Sequence, residues 1–309
     1  MIKYFDFEYD IELLEKKYSS VDANDSKNIE ILNKKKEQLF TKIYSNLSPW
    51  QKVQVARHSN RPHTMDFINL IFDDVIFLHG DKKFADDNAI VGGFAKISEK
   101  SLIIIGTEKG NSMDSRLKHN FGMAKPEGYR KAQRLMKLAE KFNLPIVTFV
   151  DTAGAFPGKE AEERGQSESI ANSILLSLKV KSPIISIIIG EGGSGGAIGL
   201  ATADRVLMLQ HAIYSVISPE GCASILWRNT SFTQKAAENL KLTSEDCYKL
   251  KIIDEIIEEV PGGAHRFQEE QALILKKSII KNLESVSSIS IDELLTARNE
   301  KYLNITSNI

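Results

Sequence analysis

Five glycines in seven residues, Gly190, Gly192, Gly193, Gly195 and Gly196, follow six uncharged residues, Ile184, Ile185, Ser186, Ile187, Ile188 and Ile189. A run of that length without a charge reads as a strand buried on both faces. After Gly196 the chain continues Ala197, Ile198, Gly199, Leu200, Ala201, small and apolar. The next element is therefore expected to be a short buried helix whose first turn holds Gly195 and Gly196. The first N–H groups of a helix lack intrahelical acceptors and lie at the positive end of its dipole. With no Cβ to block approach, such a turn can hold an oxyanion, an enolate or a phosphate against bare amides. The competing reading is a strand-to-helix crossing where close packing alone demands glycine.

Two familiar patterns overlap on these residues. Gly190-x-Gly192-x-x-Gly195 fits a dinucleotide fingerprint, but the following strand, 205–209, runs into Gln210 and His211 where a ribose-binding acid belongs. Gly192-x-Ser194-x-Gly196 fits a nucleophile elbow, with Asp204, Asp246, Asp254 and His265 following in the order of a serine hydrolase; no HGGG-like segment precedes it. A Walker loop is excluded, because neither Lys nor Ser/Thr follows the glycines in register.

A second glycine-bearing loop, Asp151-Thr152-Ala153-Gly154-Ala155-Phe156-Pro157-Gly158, also follows a buried strand, 145–150. Two such strands side by side would bring both loops to one rim, where α/β sheets bind ligands. Arg57, His58, Arg61 and His63 cluster around Pro62; they could meet a phosphate or carboxylate, but a solvated loop is the commoner fate of such a cluster.

The elements that must position these loops alternate. Residues 89–97 and 102–107 read as a hairpin, 126–142 as a helix, 160–178 as a helix, 205–209, 213–217 and 252–257 as strands, and the rest as helix and turn: an α/β body. Thr64 is expected to cap a helix running through residue 78. The helix at 126 carries Arg130, Lys131 and Arg134 close to its start, against its dipole, so an acidic or anionic group is expected nearby. Residues 1–46 read as two helical stretches divided by a polar break at 19–26; Ile29, Leu32, Leu39 and Ile43 fall on heptad positions.

Composition narrows the classes. With 309 residues, 42% of them hydrophobic, the chain can bury a large core, and a formal charge of −1 argues against a general polyanion binder, so nucleic acid is not expected as a partner. Cys222 and Cys247 are the only cysteines and no CxxC occurs, which leaves no disulfide framework or cysteine zinc site. The acidic, aromatic start MIKYFDFEYD does not read as a signal peptide and the apolar runs are of strand length, so neither export nor a membrane span is expected, and a cytoplasmic location fits.

Together, YSNLSPWQKVQVARH, ADDNAIVGG, NFGMAKPEGYRKAQRLM, DTAGAFPGKEAEERGQSE, GEGGSGGA, YSVISPEGCASILW and GGAHR resemble the carboxyltransferase α subunits of bacterial multisubunit acetyl-CoA carboxylases. The resemblance covers nearly the whole chain and departs in detail at 111–118 and 231–241. It implies a crotonase-like fold of repeated β-β-α units, with a helical hairpin at 1–46, the carboxyltransferase domain at 47–290 and a polar tail at 291–309. It also implies an α₂β₂ assembly with a zinc-bearing β subunit, a biotin carboxyl carrier protein and biotin carboxylase as further components, and acetyl-CoA and malonyl-CoA as substrate and product. In the family the α chain supplies the biotin side of the active site. The glycines matching Gly195 and Gly196 donate backbone N–H bonds to the ureido oxygen of biotin, and Gly192, Gly193, Ala197, Asp151, Gly154, Ala155 and Phe156 would form the rim on that side.

The chemistry asks for such a site independently. Neither a biotin ureido group nor a thioester methyl ionises easily near neutral pH, so charge on both must be held while the carboxyl group moves. Each preorganised donor is worth roughly 3–4 kcal/mol to a charged intermediate. With the biotin nitrogen taking the methyl proton, no nucleophilic side chain is required.

Overall fold

A computed structural model of the chain describes residues 3–18 and 25–305. Most of the polar break at 19–26 and the last four residues of the expected tail lie outside the described residues.

The chain begins with helices α1 (Tyr9–Tyr18), α2 (Ser26–Tyr44), α3 (Pro49–Ala56) and α4 (Thr64–Ile71), followed by strands β1 (Asp73–Phe77), β2 (Ile90–Ile97) and β3 (Lys100–Thr107). Then come α5 (Met113–Lys118), α6 (Pro126–Phe142), β4 (Ile146–Thr152), α7 (Lys159–Glu163), α8 (Gln166–Lys179), β5 (Ile184–Gly193) and α9 (Ser194–Ala201). The remainder is β6 (Arg205–Leu209), β7 (Ile213–Ser215), α10 (Pro219–Trp227), α11 (Thr233–Asn239), α12 (Ser244–Lys249), β8 (Glu255–Ile257), α13 (Gln268–Ser287) and α14 (Ile291–Leu303).

The eight strands found among the described residues form one mixed sheet. β1, β2 and β3 pair antiparallel, and β3, β4, β5, β6 and β8 continue it in parallel. β5 is the longest strand and changes neighbour along its length: residues 185–188 pair with β6, whereas Glu191, Gly192 and Gly193 pair with Ile213, Tyr214 and Ser215 of β7. Every residue of β4, and all of β5 up to Gly192, is buried, as expected of parallel strands covered on both faces. α6, α8 and α9 cover the sheet; Tyr129, Leu135, Met136, Ala197 and Leu200 enter the core that β4 and β5 share.

Several expectations are corrected. The helix beginning near Thr64 ends at Ile71, and His63 is its N-cap, held by its N–H donating to Asp66 Oδ2 at 2.9 Å. Residues 73–77 are instead an edge strand, exposed or half-buried throughout, whose consecutive apolar Val75, Ile76 and Phe77 give no period-2 alternation in the sequence. The helix expected at 160–178 is two, broken where Gly165 adopts φ +81°, a conformation open to glycine. Residues 291–303 of the expected polar tail form a docked helix: Arg298, 1% exposed, meets Asp204 through both carboxylate oxygens at 2.7 Å and donates to the carbonyls of Ser177, Val180 and Ser182. The acidic partners sought for the start of α6 come from the 79–87 loop: Asp81 with Arg130 at 2.7 Å and Asp86 with Lys131 at 2.5 Å.

The basic cluster around Pro62 is not a solvated loop either. Arg61 is 2% exposed, forms a two-pronged pair with Glu259 (2.6 and 3.0 Å) and donates to Ile189 O at 2.8 Å, fastening the segment to the strand that ends in the glycines. Burial works against the Glu259 charge, but Arg61 and then His211 outweigh it and hold the carboxyl at about 2. His58 stacks on His265 with ring centroids 4.2 Å apart, beside Phe5 and Tyr44 from the N-terminal segment. Burial, reinforced by His58 and Arg266, pushes His265 down to about 2, and burial pushes His211 down to about 4. An unfolded chain protonates these histidines from about pH 6.5 downward while the folded chain resists, so stability is lost as pH falls below that value. Glu259 adds its own loss below about pH 4.5, its unfolded value. Urea unfolding is expected to show a loss of about 2 kcal/mol for each of the two histidines between pH 7 and pH 5; an unchanged midpoint over that range would contradict the buried neutral histidines.

Candidate functional site

The pairing of β4 with β5 in parallel, ending at Thr152 opposite Gly192, sets the loops 153–158 and 193–196 against each other at the carboxyl ends of both strands. Their contact is backbone on backbone. A Cβ on Gly193 would overlap Ala153 O, and one on Gly196 would come within 2.5 Å of Gly154 C and 2.7 Å of Ala155 N. Close packing is thus one reason for glycine at 193 and 196. Gly195 differs: a Cβ there would meet only Ile170, at 3.6 Å, an ordinary contact. No neighbouring atom forbids a side chain at 195.

α9 starts at Ser194, and its cap residue Gly193 has no side chain to cover the first turn. Among the described residues no side chain or loop carbonyl accepts from the N–H groups of Gly195, which is half-buried, or Gly196, which is buried. Ser194 takes φ +48° and is exposed, turning the strand sharply into the helix. Such a bend is also what a nucleophilic serine needs. Yet no histidine hydrogen-bonds Ser194 among the described residues: His265 lies with His58 and Tyr44, and His63 with Asp151. The Ser194 hydroxyl has no base.

The facing loop is held by its own chain. Thr152 Oγ1 donates to Gly154 O at 2.7 Å, and Phe156 N donates to Ala124 O at 3.0 Å. Gln166 Nε2 donates to Ala124 O and Phe156 O (2.8 and 3.0 Å), and Lys125 Nζ lies 4.6 Å from the centre of the Phe156 ring. Gly154, Ala155 and Phe156 are half-buried, and nothing lies within 4 Å of where a Gly154 side chain would point. Gly154 and Ala155 lie directly against Gly196 in the first turn of α9. The other candidates are placed differently: Ala197 is fully buried in the core, Gly192 is buried against Tyr214, and Asp151 is 1% exposed beneath the rim.

Asp151 belongs to an ionic cluster that sequence reading missed. Its carboxylate accepts from Glu191 N (2.9 Å) and meets Lys109 Nζ (2.9 Å) and His63 Nδ1 (2.7 Å). Lys109 also reaches Glu191 at 2.6 Å, and Arg57 joins Glu191 to Glu220 at 2.6 and 2.7 Å. Burial would raise the Asp151 carboxyl, but Lys109 and His63 prevail and hold it well below the usual range. Burial likewise opposes the Lys109 charge, and Asp151 with Glu191 outweighs it, so its pKa rises. The cluster clamps the ends of β4 and β5 together two residues before each loop. Arg57 and His63 near Pro62 and a lone Lys109 give no local hint of partners 42 to 163 positions away.

Among the described residues there is no group of three or more His, Cys, Asp or Glu that could hold a metal ion, and no helix long and apolar enough to cross a membrane.

Residues 3–306 match the family described as acetyl co-enzyme A carboxylase carboxyltransferase-like. The acetyl-coenzyme A carboxylase carboxyl transferase subunit alpha of Rhodospirillum centenum is 52% identical over 300 residues, 97% of this chain and 95% of the relative. That of a Staphylococcus aureus strain is 48% identical over 305 residues, 99% of this chain and 97% of the relative. Among solved structures, the transcarboxylase 12S hexamer is similar with TM-score 0.54 at 21% identity, over 71% of this chain and 42% of that one, so this chain spans less than half of it. A Pseudomonas malonate decarboxylase heterotetramer is similar with TM-score 0.55 at 13% identity, over 70% and 86%. These likenesses show the fold, which is crotonase-like.

Proposed function

Because this chain belongs to the acetyl-CoA carboxylase carboxyltransferase α subunits, we propose that it forms the biotin side of a carboxyltransferase active site which is completed by a β subunit and makes malonyl-CoA from acetyl-CoA. Biotin, carried as carboxybiotin on a carrier protein, supplies the carboxyl group. The observation that carries the reading is the first turn of α9: N–H donors without acceptors on half-buried Gly195 and buried Gly196, packed beside the 153–156 loop. The same turn fits a ureido oxygen, a small acceptor that must come close to bare backbone.

The chain's own residues act by placement. Gly195 and Gly196 hold negative charge on the oxygen they face, Gly154, Ala155 and Phe156 wall the opening, and Gly192, Gly193 and Ala197 set the backbone from behind. Asp151, with Lys109 and Glu191, keeps the loops in register. The zinc belongs to the β subunit, the assembly is α₂β₂, biotin carboxylase charges the carrier, and the complex works in the cytoplasm.

Ser194→Ala separates this reading from covalent catalysis, since it removes the hydroxyl and leaves both donors. Loss of a catalytic serine costs roughly a millionfold in kcat, whereas loss of one turn hydrogen bond costs about 1 kcal/mol. In complex with a β subunit, Ser194→Ala is expected to keep at least about a tenth of carboxyl transfer, with no hydrolysis of simple esters by either form. A fall of about four powers of ten in an intact assembly would place covalent chemistry at Ser194.

A further inference from the structure

Beneath the rim, a cavity of about 260 Å³ is lined by Arg57, His63, Lys109, Arg116, Phe121 and Glu191, with Ala153 at its edge. Two of its polar groups are uncommitted. His63 is 6% exposed and its Nδ1 is taken by Asp151, but its Nε2 is buried without a partner. Arg116 uses Nε on Gly110 O at 3.2 Å, and among the described residues no carboxylate pairs with its guanidinium. The other two cations are already bound, Arg57 by Glu191 and Glu220, and Lys109 by Asp151 and Glu191.

The unpaired guanidinium gives the ligand's sign. Arg57 and Lys109 are spent on Asp151, Glu191 and Glu220, and Glu108 near His63 is held by the N–H groups of Met65 and Gly110, which leaves Arg116 as the cation of the lining that no carboxylate pairs among the described residues. With Nδ1–H given to the Asp151 carboxylate, Nε2 of His63 is a second donor in the imidazolium form. A guanidinium fork beside an imidazolium N–H suits a group with several negative oxygens.

We propose that this cavity binds an oxyanion, a phosphate or carboxylate group, with Arg116 and His63 Nε2 as its donors. Its place on α5 and behind α4 sets it apart from the first turn of α9. Occupation would bridge Arg116, in the 111–118 stretch where the chain departs from the family pattern, to the clamp that registers β4 and β5. The group's source is either a free anion or a substituent of a larger molecule such as coenzyme A or malonyl-CoA.

Calorimetric titration of the full chain with inorganic phosphate, malonate and coenzyme A, at constant ionic strength, tests this. The coenzyme A and malonate arms lean on the carboxyl-transfer reading; the phosphate arm does not, and the reading itself stands or falls on turnover. At least one probe is expected to bind, with affinity reduced about tenfold or more in Arg116→Gln and unchanged in Lys118→Gln, an exposed neighbour on the same helix. Coenzyme A binding far more tightly than phosphate assigns the site to a cofactor phosphate; comparable phosphate binding assigns it to a free anion; malonate alone assigns it to a carboxylate. His63→Gln, with its melting temperature checked, should weaken the same probe. No binding by any probe up to about 50 mM, or equal binding by wild type and Arg116→Gln, would overturn the proposal.

Discussion

Gly196→Val is expected to lower the kcat of the assembled enzyme at least about a hundredfold, the usual consequence of losing one oxyanion donor. Even the first carbon of the valine would stand 2.5 Å from Gly154 C, so either the 153–156 loop or the first turn of α9 must move. Both walls of the opening are then displaced, and overpacking of this kind costs about 1–3 kcal/mol in stability. Gly195→Ala is the internal comparison, because its Cβ meets only Ile170 at 3.6 Å and the fold has no objection to it. A fall in kcat in Gly195→Ala with an unchanged melting temperature would report the approach of the ligand rather than the packing of the loops. Near-normal turnover by an assembled Gly196→Val complex would move the site away from α9.

How much of this was legible in the chain depends on whether the cause was local. The strand 184–189, the glycine turn and the short helix after it follow from composition over some twenty neighbouring residues, and β4, α6 and the β2–β3 hairpin likewise appear within a residue or two of where periodicity puts them. The edge strand 73–77 did not, because it exposes most of its residues and follows a helix whose apolar spacing runs straight into it. The basic residues near Pro62 looked solvated because their partners are remote: Glu259 lies 198 positions from Arg61, and Asp151 lies 88 from His63. Periodicity carries no information on such pairs; only the fold brings them together. Arg298, buried in a stretch that reads as polar tail, is the same case at the other end of the chain. At the site, the parallel pairing of β4 with β5 puts the two glycine loops at the same end of the sheet, as two adjacent buried strands imply, whereas the burial of Ala197 and the retreat of Asp151 into an ionic clamp depend on remote partners.

The other large effect is the inactivity of the chain by itself. The reaction must hold charge on two partners, the biotin oxygen and the acetyl carbon, and each preorganised donor supplies on the order of 3–4 kcal/mol to a charge it faces. On the proposed reading the first turn of α9 is one such station. With the second missing, no group among the described residues compensates: no histidine bonds Ser194, and the buried acids and bases of the Asp151 cluster are committed to one another except where His63 and Arg116 face their own cavity. The rate deficit should therefore be many powers of ten, not a few-fold loss of affinity.

The direct test is malonyl-CoA formation from acetyl-CoA and carboxybiotin, measured with the purified chain, with a β subunit, and with both together. Product is expected only from the mixture. Turnover by this chain alone, or full turnover by the β subunit without it, would contradict a biotin half-site at Gly195 and Gly196.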